Sequence, residues 1–139
     1  MARDIKVLLI YPSLMLMHCA PPAMAIFSAL LKRKGFAVEL FDTCYYKTDE
    51  KSSDDIKVEG LNVRPFNIAE RGIKLKGTDL YEDLKEKVET FSPDLIALSV
   101  LEDTYPLGLS MLKSIRQYCK APVIVGGVFA TFSPEKIIK

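Results

Sequence analysis

The sequence predicts a three-layer α/β/α domain, a doubly wound parallel sheet with helices on both faces. Two observations point there. Four short apolar runs rich in β-branched residues recur along the chain, Ile5–Tyr11, Ala37–Asp42, Asp94–Val100 and the stretch PVIVGG ending at Gly127. Between them lie segments of helical period, two of them opened by proline, at Pro22 and Pro106. Apolar runs without alternation read as strands buried on both faces, and strands alternating with helices make parallel βαβ units.

The elements follow in order. IKVLLIY is a continuous apolar run and forms the first strand. A helix opens at Pro22, where a missing N–H costs nothing, and Gly35 ends it. Lys32, Arg33 and Lys34 fall in its last turn, where cations suit the helix dipole. Ala23, Ile26, Phe27, Leu30 and Leu31 are expected to form its core-facing side. AVELFD is the second strand, parallel to the first through a right-handed crossover. Residues 43–77 are polar and too long for an ordinary connection, a solvated insert in which IKVEGLNVRPF is expected to form a short ribbon. From Thr78 onward Leu80, Leu84, Val88 and Phe91 repeat at helical spacing until Pro93. DLIALSV is the third strand; Pro106 opens a helix carrying Met111, Leu112, Ile115 and Cys119; PVIVGG is the fourth strand. Ser133, Pro134 and Glu135 read as a cap, a first-turn proline and an acid opening one more helix. The whole is a flavodoxin-like arrangement with strand order 2-1-3-4, expected to continue past Lys139 into a fifth strand that is missing here. The reading for 1–139 is thus one domain truncated at its C-terminal end.

Composition narrows the functions. The chain has 139 residues, net charge +1, no Trp and one His. Such a balance draws it neither to nucleic acid nor to an anionic membrane. Arg3, Lys6 and VLLIYPSLMLM imitate a signal peptide, but Pro12 interrupts the apolar run and a strand-then-helix pattern follows at once. No run is long enough to span a bilayer. Cys19, Cys44 and Cys119 are odd in number and widely spaced, which fits free thiols in a reducing cytoplasm.

Ligands of open parallel sheets bind outside the carboxyl ends of the strands. The loop after the first strand, PSLMLMHCAPP, has no glycine, which argues against a dinucleotide site despite Asp42 at the end of the second strand. A P-loop, the clustered acids of a receiver domain and a flavodoxin phosphate loop are also absent. What remains is Ser99-Val100-Leu101 at the end of the third strand and Gly126-Gly127 at the end of the fourth. A small hydroxyl beside two residues without side chains predicts an apolar slot for a flat ligand with one polar atom.

Ser-x-Leu followed some two dozen residues later by Gly-Gly resembles the pattern of cobalamin-binding domains. KVLLIYPS, PPAMAIFSALLKRKGFAVELFD, FSPDLIALSV, TYP and GGVFATFSPE together resemble the amino-terminal domain of cobalamin-dependent radical SAM enzymes, a group with anaerobic magnesium-protoporphyrin ester cyclases and methyltransferases. The resemblance covers nearly the whole chain outside 43–77. It implies that Ser99 bonds the dimethylbenzimidazole of the cobalamin tail while Gly126 and Gly127 let the tail pass. Leu101, Thr104, Tyr105, Thr131, Pro12 and Ser13 complete the expected cofactor-binding set. The methionine-synthase branch has Asp-x-His-x-x-Gly after the first strand. His18 does not match that cobalt ligand, so the implied cobalamin is base-off with no protein His ligand. The chain departs from the family at Ala23-Met24-Ala25 and Val128-Phe129, where larger residues would narrow the pocket if they pointed into it. Cys-x-x-x-Cys-x-x-Cys, the motif of the 4Fe-4S cluster that cleaves S-adenosylmethionine, is not in the sequence. The cluster and S-adenosylmethionine are therefore expected only in a downstream radical SAM domain of the same parent chain, and no catalytic residue is assigned here. Two readings compete with this one: a flavodoxin-like docking scaffold that no longer holds cobalamin, and a small nucleotide enzyme built on Asp42.

Overall fold

A computed structural model describes residues 5–16, 21–48, 51, 53–65 and 67–138. The apolar runs form β1 (Lys6–Tyr11), β2 (Ala37–Asp42), β3 (Leu95–Ser99) and β4 (Val123–Gly126). They join in one parallel sheet of order β2-β1-β3-β4. This is the arrangement expected of two crossovers on either side of β1, and it gives both faces of β1 a helix layer.

Alternate residues of the strands build two cores. Leu8 and Ile10 of β1 with Ile96 and Leu98 of β3 face α3 (Leu80–Phe91) and α4 (Tyr105–Ile115), where Leu84, Val88, Met111 and Ile115 meet them. Leu8, Ile10, Leu84, Met111 and Ile115 are wholly shielded from water. Burying each such side chain stabilises the fold by about 1.5–3 kcal/mol before entropy is counted. The other face carries Val7, Leu9 and Tyr11, packed by Met24 and Leu31 of α1 (Pro22–Arg33).

The helix boundaries have local causes. Pro22 is the first residue of α1, and Gly35 follows it at φ 85°. Asp79 caps α3 by accepting hydrogen bonds from the N–H groups of Tyr81 and Glu82. Ser92 closes α3 in the left-handed region at φ 51°, just before Pro93.

Three expectations are corrected. Of the side predicted to face the core, Leu31 does turn to the sheet, but Ala23, Ile26, Phe27 and Leu30 are exposed, and Met24, not among the predicted residues, is the buried one. The helix is apolar on more than one side, so periodicity alone did not select the buried one. The expected ribbon is instead α2 (Ser53–Glu59), followed by a turn through Gly60 and Leu61. A short apolar–polar stretch fits either period, and its acidic start suits a helix N-terminus. Finally, an unexpected short helix, α5 (Val128–Phe132), follows the glycine pair. A helix does then open at Pro134 with Glu135 in its first turn, α6 (Pro134–Ile137), but Ser133 does not cap it with its side chain.

At the carboxyl end of the sheet the loops after β1 and β2 are tied together. The Ser13 N–H donates to Thr43 Oγ1 at 2.7 Å, and that hydroxyl donates back to the Ser13 carbonyl at 2.7 Å. Leu16 N–H bonds the Cys44 carbonyl, and Met15 N–H bonds Thr48 Oγ1. His18, Met17 and Cys19 lie outside the described residues.

Candidate cofactor slot

β3 and β4 pair in register so that Ser99 stands opposite Gly126. Both lie on the sheet face that α1 covers. Between that face and α1 lies a cavity of about 320 Å³, near the lower end of the range for small-molecule sites. Met24, Phe27 and Leu31 line it from the helix, and Val7, Leu9, Ala97 and Ile124 from the sheet. Ser99 is the one polar side chain in its lining, and its hydroxyl has no partner among the described residues.

The two glycines do different work. A Cβ built at Gly126 meets nothing within 4 Å. Space therefore stands open exactly where a side chain would enter the cavity. Gly127 is the reverse: it sits at φ 96°, and a Cβ there would come within 2.5 Å of the Val100 carbonyl oxygen. Its missing side chain admits the backbone of the β3–α4 loop rather than a ligand. Val100 N–H bonds the Gly126 carbonyl, and Phe129 N–H bonds the Val100 carbonyl. The pair thus clamps the end of β3 against the turn into α5 while leaving the slot open beside Ser99.

The remaining predicted site residues divide in the same way. Thr104 is 1% exposed, and its hydroxyl accepts from Leu101 N–H at 3.0 Å, which holds the loop after β3 in shape. Pro12 and Ser13 are buried beneath the rim; Ser13 is tied to Thr43, and Pro12 stands where a side chain at Gly108 would go. Tyr105 packs at a tilt on Phe129, ring centroids 5.2 Å apart. Thr131 is exposed and donates to the Gly127 carbonyl at 3.0 Å. Ser99, Gly126 and Gly127 therefore come together in the slot, whereas Leu101, Thr104, Tyr105, Thr131, Pro12 and Ser13 build the loops around it. The larger residues at the family departures split too. Met24 lines the slot, Val128 is exposed, and Phe129 packs into the opposite core.

The slot residues that sequence reasoning missed are Phe27 and Leu31 of α1 and Ile124 of β4. Ile124 was legible, since it stands two residues before Gly126 and so shares its face. The helix residues were not, because the tilt of α1 on the sheet is not a property of its sequence.

A larger cleft of about 550 Å³ lies along the outer edge of β2, lined by Glu39, Asp42, Tyr46, Lys76, Asp83 and Lys87. Two ion pairs lie within it, Lys87 with Glu39 at 2.7 Å and Lys76 with Asp83 at 3.8 Å, and the Tyr46 phenol donates to Asp83 at 2.6 Å. Burial pushes the Asp42 carboxyl up, partly opposed by the hydrogen bond from Cys44 N–H. Tyr46, near the start of the polar 43–77 segment, is wholly buried and stacked on Phe41. Among the described residues no cluster of three His, Cys, Asp or Glu side chains could hold a metal ion, and no helix is long and apolar enough to cross a membrane.

The fold is an open parallel α/β domain with an apolar slot at the carboxyl ends of its third and fourth strands, where ligands of such sheets bind. The family model for the B12 binding domain matches residues 16–139, and the chain belongs to that family. Two solved structures of the radical S-adenosylmethionine methyltransferase TsrM from Kitasatospora setae share the fold. One, with tryptophan substrate and the SAM analogue aza-SAM bound, superposes with a TM-score of 0.63 at 20% identity, over 94% of this chain and 21% of that one. The other, with cobalamin and a 4Fe-4S cluster bound, gives a TM-score of 0.62 at 21% identity, over 95% and 20%. This chain spans about a fifth of the length of those enzymes. No curated protein matches it.

Proposed function

We propose that this chain is the cobalamin-holding module of a radical SAM enzyme, with the tail base of the cofactor seated in the slot between Ser99 and Gly126. The observation that carries the reading is the unpartnered Ser99 hydroxyl facing an apolar cavity beside the open space at Gly126. A benzimidazole is flat and apolar and offers one ring nitrogen, so the donor set fits it. Ser99 would donate to that nitrogen, Met24, Phe27 and Ile124 would exclude water from its faces, and Gly126 would leave room for its edge. Held there, the tail base is away from the corrin, which makes the bound form base-off. The rim residues Leu101, Thr104, Tyr105 and Thr131, with Pro12 and Ser13 beneath, would shape the floor under the corrin.

When bound, the cobalt centre supplies methyl transfer or radical and electron transfer; the chain itself supplies binding and orientation. The 4Fe-4S cluster and S-adenosylmethionine belong in this reading to a radical SAM domain of the same parent. Methyltransferase chemistry is favoured by the likeness to TsrM, and magnesium-protoporphyrin cyclase chemistry by sequence resemblance alone. The buried cysteines Cys44 and Cys119 suit a cytoplasmic setting. Of the three larger residues that would favour the docking-scaffold reading, Met24 lines the slot, while Val128 is exposed and Phe129 packs into the opposite core.

The test is a titration of the purified chain with hydroxocobalamin, read by visible absorbance and gel filtration. Co-elution of pigment with a base-off spectrum, abolished by Ser99→Leu, is expected. Folded protein that carries no pigment would overturn the reading.

A further inference from the structure

We infer that the slot selects the kind of cobamide by its tail, accepting a benzimidazole and disfavouring a purine. The inference rests on the proposed function and adds a specificity to it. Natural cobamides share the corrin and differ in the lower base. A benzimidazole presents one free ring nitrogen. An adenine of the same outline adds two ring acceptors and an exocyclic amino group, each needing a partner once taken out of water.

The slot has little to offer them. Its walls are apolar, with Met24, Phe27 and Leu31 on the helix side and Leu9, Ala97 and Ile124 on the sheet side, and Ser99 is the sole polar side chain. One hydroxyl satisfies one ring nitrogen. The amino group needs acceptors, and the two glycine carbonyls of the lining already accept hydrogen bonds. Gly126 O accepts from Val100 N–H, and Gly127 O accepts from both the N–H and the hydroxyl of Thr131. A purine would leave polar edges against Leu31, Ala97 and Ile124. An apolar pocket rejects an isostere carrying extra polar groups only moderately, by about 10- to 100-fold.

Ala97 offers a way to test the cause. It lies on β3 two residues before Ser99 and lines the same wall. Ala97→Ser adds a hydroxyl with little volume and supplies the second polar partner that a purine lacks.

The experiment measures Kd for the chain with three probes: hydroxocobalamin, its adenine-tailed counterpart, and cobinamide, which has no tail. Hydroxocobalamin is expected to bind tightest, with the adenine form at least about tenfold weaker and close to cobinamide. In the Ala97→Ser chain the gap between the two tailed forms is expected to shrink severalfold. Equal affinity for both tailed forms would overturn the selectivity while leaving the proposed function standing. Cobinamide binding as tightly as hydroxocobalamin would show that no tail enters the slot, and would overturn it as well. If the folded chain binds none of the three, the proposed function fails, and this inference with it.

Discussion

Gly126 and Gly127 are neighbours of identical chemistry with opposite expected responses to one added methyl. Gly127→Ala forces a side chain into the left-handed region and onto the Val100 carbonyl, so it is expected to destabilise the fold by more than about 2 kcal/mol. Gly126→Ala meets empty space, so denaturant unfolding should change by less than about 1 kcal/mol while hydroxocobalamin binding falls at least about tenfold. Equal losses of stability in the two variants would refute the division. The sequence showed that a glycine pair needed a reason; φ and the distance to Val100, which separate the two reasons, depend on how β3 and β4 are placed. Tyr46 teaches the same lesson. It reads as the start of a polar insert, yet Phe41 and Asp83 come from elsewhere in the chain to bury it. Hydrogen bonds from the Tyr46 phenol and then the Thr78 hydroxyl, with Lys76 nearby, hold the Asp83 carboxyl below its ordinary value. A depressed acid lends stability above its unfolded pKa, and that stability is lost as pH falls through the folded value. Tyr46→Phe should therefore move the Asp83 titration up toward the usual carboxylate range, followed by carboxyl-carbon NMR. An unmoved titration would mean that Thr78 and Lys76 suffice.

Elements were legible in proportion to how many faces they bury. The strands, apolar on both sides, announce themselves, and β2 spans just the residues its pattern predicts. α3 was equally plain, since Leu80, Leu84 and Val88 are its only buried residues and stand at helical spacing. α1 was found but its inward side was only partly assigned: Leu31 turns to the sheet and Phe27 lines the slot, while Ala23, Ile26 and Leu30, equally apolar, are exposed. α5 was not foreseen: five residues give too short a window for any period. Two substitutions on α3 should separate capping from packing. Asp79→Ala loses the acceptor of two backbone N–H groups and is expected to cost about 1 kcal/mol. Leu84→Ala opens a cavity in the larger core and is expected to cost about 2–5 kcal/mol. Chemical denaturation measures both, and a smaller loss at Leu84 than at Asp79 would contradict the packing described.

For the molecule as a whole, the two faces of the sheet are covered unequally. α3 and α4 roof one face, while on the other α1 stands alone among the described residues and Ile124 of β4 is 58% exposed. A ligand seated in the slot would cover part of that surface and bind the folded form alone. At a hundredfold excess over Kd it should raise stability by about 2.7 kcal/mol, or Tm by roughly 10 °C for a chain of this size. Differential scanning calorimetry with and without hydroxocobalamin checks this, and an unchanged Tm under saturating pigment would contradict it. The fold class and order of strands were legible because local patterns fix them. The slot was legible only at its sheet wall, since its helix wall depends on tertiary placement.

The register of β1 on β3 sets Val7 beside Leu95, across the whole of the 43–77 insert. No two strands of this sheet are joined by a hairpin, so its central pairing must wait for distant chain ends to meet. Each doubling of a loop costs only about 0.6 kcal/mol in closure entropy, so the insert weighs little on equilibrium stability. Its burden falls on time: the more sequence between partners, the slower the search for them. The insert is therefore free to lengthen or shorten across variants of this domain, provided the nascent chain is shielded while β1 waits for β3.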